Sequence, residues 1–104
     1  HLKLGNILSL EKATTVFSKE VAFITGKEEL TAGALHEIHM STYSLEKAVA
    51  YFVENSQGEE KSLAEEIAFV VEEIHLASEN NRTEDTRSFI DQLEKLVQIA
   101  GSFY

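Results

Sequence analysis

Apolar side chains recur three and four residues apart along most of the chain, and the alternation of a half-buried strand is missing. Four segments carry the spacing. The first covers about 9–25, with Leu10, Ala13, Phe17, Val21 and Ile24 on one side. The second covers about 31–55, where Leu35, Ile38, Thr42, Leu45, Val49 and Phe52 follow the rhythm of a bundle seam. The third, about 59–80, sends Leu63, Ile67, Val70, Val71 and Ile74 inward. The fourth runs from 83 to the end through Phe89, Ile90, Leu93, Leu96, Val97, Ala100 and Phe103.

The punctuation between segments agrees. Gly26 fits a left-handed position closing the first helix. Thr31 can accept from the orphan amides of the next first turn, and Leu30 sits where a hydrophobic staple meets Leu35. Ser56-Gln57-Gly58 breaks the second pattern and Asn80-Asn81-Arg82 the third. Thr83 is the expected cap of the last helix, with Glu84 and Asp85 complementing its dipole. Residues 1–8 are apolar enough to pack along the others, but no cap marks where the first helix begins. The chain has no proline, so nothing interrupts a long helix. Short connections force successive helices to run antiparallel. The expected fold is all-α: an up-down-up-down antiparallel four-helix bundle, one domain over 1–104.

Composition narrows the function classes. Nine Lys and Arg stand against 18 Asp and Glu, a formal charge of −9. That argues against nucleic acid and anionic membrane, which are bound through clustered cations. An apolar share of 43% keeps this acidic chain in the globular class. The longest apolar stretches, such as Ile67-Ala68-Phe69-Val70-Val71, fall far short of the roughly 20 residues that cross a bilayer, so no membrane insertion is expected. Absence of cysteine removes disulfides, thiolate metal sites and thiol catalysis. With no glycine-rich phosphate cradle either, no catalytic residue is assigned and no enzyme is expected. The chain opens on His1 rather than Met, which leads to the expectation of a processed or trimmed form.

Glu37-Ile38-His39, Thr42-Tyr43-Ser44-Leu45-Glu46 and Glu72-Glu73-Ile74-His75-Leu76-Ala77-Ser78-Glu79 resemble stretches of a family of small exported proteobacterial proteins of unknown function. His1-Leu2-Lys3 and Ser9-Leu10-Glu11-Lys12-Ala13, followed by Phe17, are similar to that family's mature N-terminus. The resemblance covers nearly the whole chain and implies a removed signal peptide and a periplasmic location. It implies no activity. One departure is Gly5-Asn6-Ile7, where members often carry a proline before the first helix.

The chemistry concentrates in two histidines. Glu37-Ile38-His39 recurs as Glu73-Ile74-His75, and each histidine lies 18 residues from Gln57 in the turn between their helices. In an antiparallel hairpin that places them at one height, on axes about 8–10 Å apart. Both edge the apolar stripe. Glu72 lies three residues before His75, Glu79 four after it, and His36 three before His39. Imidazole and carboxylate in this arrangement suit zinc, copper, nickel or iron, so His39, His75, Glu72, Glu79 and His36 form the candidate metal set. No cofactor is firmly implied. The plainer alternative is a structural pair, each ring packed on the seam and hydrogen-bonded to a carboxylate or Tyr43.

Di-iron chemistry is disfavoured, because such bundles need Glu-x-x-His from two helices and His36-x-x-His39 stands in place of one. Haem of the b type is a lesser alternative. It would need axial ligands across a slot, Met40 adjoins His39 rather than opposing it, and the seam is filled with large side chains. Asn81-Arg82-Thr83 matches a glycosylation sequon but reads more simply as a turn and cap. Phe69 and Tyr51 fall outside the seam and raise a protein partner or homodimer; scattered surface apolars are the simpler account. The expected role is non-enzymatic, in binding or interaction.

Overall fold

A computed structural model describes residues 9–101, which form four helices and no strand. They are α1 (Leu10–Thr25), α2 (Ala32–Asn55), α3 (Gly58–Glu79) and α4 (Thr83–Ala100). Residues 1–8 and Phe103 lie outside the described residues, and with them the expectations placed there.

Local chemistry sets the boundaries, in places by residues other than those expected. Ser9 begins α1: its backbone is extended and its Oγ accepts from the Lys12 amide at 3.1 Å. This is the cap that the sequence left unassigned. Thr31 caps α2 as expected, accepting from the Ala34 amide at 3.1 Å. Gly26 departs from expectation, with φ −77° in the right-handed region. The end of α1 is closed instead by right-handed turns, Gly26 donating to the Ala22 carbonyl and Lys27 to that of Ile24. Nor does Thr83 cap α4. Arg82 holds that position, because Asn81 (φ 56°) turns the chain one residue earlier and the Arg82 amide donates back to Ala77 at 2.9 Å. Glu84 and Asp85 do occupy the first turn, and α4 stops at Ala100 with Gly101 closing it.

The seam positions of α2 and α3 are all buried, Ile38, Leu45, Val71 and Ile74 completely. Ile24, Ile90 and Leu93 complete this core from the outer helices, with Phe17, Phe89, Leu96 and Val97 half-buried against it. Each buried aliphatic side chain stabilises by about 1.5–3 kcal/mol relative to exposure, which is why spacing dominates the outcome. Leu10 does not join. It is 53% exposed, since a side chain on the first helical residue leans off the end of its helix. Tyr51 is not a free surface aromatic. It is half-buried in a smaller cluster with Ala13, Phe52 and Ala64, its ring 6.4 Å from that of Phe52.

The helices pack chiefly on their neighbours in sequence, as short connections require, and α1 and α4 meet far less than any sequential pair. One end of the bundle therefore carries both the α1–α2 and α3–α4 connections. Arg87 fastens it: its guanidinium donates to the carbonyls of Lys27 at 2.9 Å and Glu28 at 3.1 Å. Lys27 pairs with Glu37 at 3.1 Å, and Ser41 bonds Glu20 across α1 and α2 at 2.8 Å. His39 and His75 lie toward this braced end. Among the described residues no helix is long and apolar enough to cross a membrane.

Candidate metal centre

Only Ser56 and Gln57 join α2 to α3, so residues equidistant from that turn are level. His39 and His75 face each other as this demands. Their ring centroids are 4.6 Å apart, edge to face at 82°. Tyr43 adds a third ring, 5.2 Å from His39 and 5.1 Å from His75. All three are half-buried.

The hydrogen bonds assign the proton on His75. Thr42 Oγ1 donates its single proton to the His39 carbonyl at 2.6 Å, so toward His75 Nδ1, 3.2 Å away, it acts as acceptor. Nδ1 therefore carries the proton, and Glu46 Oε2 lies 3.4 Å from the same nitrogen. The lone pair is left on Nε2, which faces Glu79 Oε2 at 3.7 Å. A carboxylate behind one imidazole nitrogen and a free lone pair on the other is how metal-binding histidines are commonly held. His39 is poised similarly. Its Nε2 lies 3.3 Å from the Tyr43 hydroxyl, and its buried Nδ1 has no partner, alone in this among buried side-chain nitrogens and oxygens of the described residues.

His39, His75 and Glu79 each offer a ligand atom, all within 4.8 Å of one another, the one such group among the described residues. Donors bound to a single zinc at about 2.0–2.2 Å sit no more than about 4 Å apart. The group as it stands is therefore within about 1 Å of ligand spacing.

The other two expected ligands stand apart. Glu72 is exposed and near Glu46, and His36 is exposed, in a surface groove beside the triad. Helical side chains lean toward their own N-terminus. Residues four beyond a histidine therefore fold back over it, as Glu79 does on His75 and Tyr43 on His39, whereas Glu72 and His36 stay exposed. Glu46 was missed for the same reason. By Cα height it belongs nearer the turn, yet it leans up α2 while His75 leans down α3, and the two meet. Burial pushes the Glu46 carboxyl above the usual carboxylate range; His75 and more weakly His39 pull it back, while Glu72 pushes it further up.

The model of a family of unknown function (DUF6746) matches residues 1–98. The chain belongs to that family. Neither a curated protein nor a solved structure matches it. The His39 and His75 rings lie edge to face at 4.6 Å, closer than two ligands on either side of a porphyrin, and Met40 lies on the surface, 43% exposed.

Proposed function

We propose that this DUF6746 protein is a non-enzymatic binding protein whose ligand is a transition-metal ion, held between α2 and α3 by His39, His75 and Glu79. The observations that carry this reading are the buried, unpartnered Nδ1 of His39 and the grouping of that histidine with a second imidazole and a carboxylate. A purely structural pair gains most when each nitrogen is satisfied, and an idle buried polar atom is a net cost of about 1–3 kcal/mol. An ion bound at that nitrogen removes the cost. Zinc, copper and nickel all accept two imidazoles and a carboxylate, with an open position for water. We place the protein in the periplasm, a location supported by its resemblance to small exported proteins.

Calorimetric titration with Zn²⁺ and Cu²⁺, repeated on His39→Ala and His75→Ala, tests the proposal. Each variant should bind at least tenfold more weakly than the parent, the order of loss seen when a metal ligand is removed (about 1.4 kcal/mol or more). Binding that is absent in the parent, or unchanged in both variants, overturns it. A protein-interaction module then remains, favoured by Phe69, 61% exposed on the α3 surface beside Glu65 and Glu66.

A further inference from the structure

We propose that the groove at the mouth of this centre is a soft-metal site, taking Cu⁺ through the Met40 thioether and the His36 imidazole. The proposal deepens the reading of His39, His75 and Glu79 as a metal centre and rests on it. The groove is lined by His36, His39, Met40, Ser78, Glu79 and Asn81, so two of the three triad residues also form its wall. An ion reaching the triad from that side passes the other donors first.

Those donors share one face of α2. His36 and Met40 are four residues apart on α2, the spacing at which the later side chain folds back onto the earlier. Met40 is the only methionine of the chain, and it is 43% exposed where a methionine normally fills a core gap. Thioether sulfur selects Cu⁺ over Zn²⁺, whereas imidazole serves either. Of the other polar groups of the wall, Ser78 Oγ is already occupied, its one proton shared between the carbonyls of Ile74 and His75. The combined surface thus offers a hard-to-borderline set inside and a soft pair outside. Copper in its lower oxidation state is the ion that the thioether and the imidazoles both accept.

The test is an anaerobic titration of Cu⁺ against a competing chromophoric chelator, with Zn²⁺ calorimetry in parallel, on the parent, Met40→Leu and His36→Ala. Both substitutions fall on exposed positions, and circular dichroism checks that the helices persist. The expected result is a Cu⁺ affinity at least tenfold lower in each variant, with the Zn²⁺ affinity of Met40→Leu within about twofold of the parent. Parental Cu⁺ affinity in Met40→Leu, alongside Zn²⁺ binding that depends on His39 and His75, overturns this inference and leaves the metal centre standing. Failure of the parent to bind either ion overturns both.

Discussion

His75 shows how one side chain is committed by its neighbours. Thr42 and Glu46 take its Nδ1 side and Glu79 waits on its Nε2 side, so ring orientation and proton position are set before any ligand arrives. Glu46 is held there at an electrostatic disadvantage. Its carboxyl titrates above the ordinary value, so the folded chain holds that proton more tightly than the unfolded one. The resulting stabilisation is complete below the ordinary carboxylate pKa and is lost as pH rises through the raised value. With a chelator present to keep metal out, acidification from about pH 7 to about pH 4 should stabilise the parent relative to Glu46→Gln. Urea midpoints at each pH measure the difference, and identical pH profiles for the two proteins would show that burial does not perturb Glu46.

The level pairing of His39 and His75 is a property of the α2–α3 hairpin and of its two-residue connection. Gly58 closes that connection with φ +62°, a conformation that side chains disfavour, although a Cβ there meets nothing within 4 Å. The strain on substitution is therefore confined to the backbone. Gly58→Ala should destabilise by about 1–2 kcal/mol, and Gly58→Asn by less, since asparagine tolerates left-handed backbone. Thermal unfolding of the two variants decides this, and an alanine variant as stable as the parent would mean that the turn relaxes to another conformation. The four helices themselves were legible because burial spacing and short connections act locally. Their exact ends were less so: Ser9, Arg82 and Asn81 took roles that depend on how the preceding turn closes, which a residue type alone does not reveal.

In the whole molecule the central hairpin is the best supported part. The outer helices α1 and α4 touch each other far less than sequential neighbours do, and between them opens a cleft of about 230 Å³, lined in part by Phe17, Phe52 and Val97. Regions with fewer buried contacts open more often. Amides in the middle of α1 and α4 should accordingly exchange about tenfold faster than those around Ile38 and Ile74. Native-state hydrogen exchange resolves this, and equal protection across all four helices would show that the bundle opens as a single unit. The ordering matters for function, because the proposed centre sits within the slow-opening pair while its groove faces solvent.

Spacing, capping residues and charge by themselves determined an acidic all-helical chain, its four helices and the two histidines at one height, because these depend on periodicity and on distance from a turn. Which carboxylates reach those rings was decided only in three dimensions. Side chains lean along their own helices, and antiparallel neighbours lean in opposite directions, so Glu46 and Glu79 arrive where Glu72 and His36 do not. Burial then left one imidazole nitrogen without a partner, a fact that no one-dimensional pattern records.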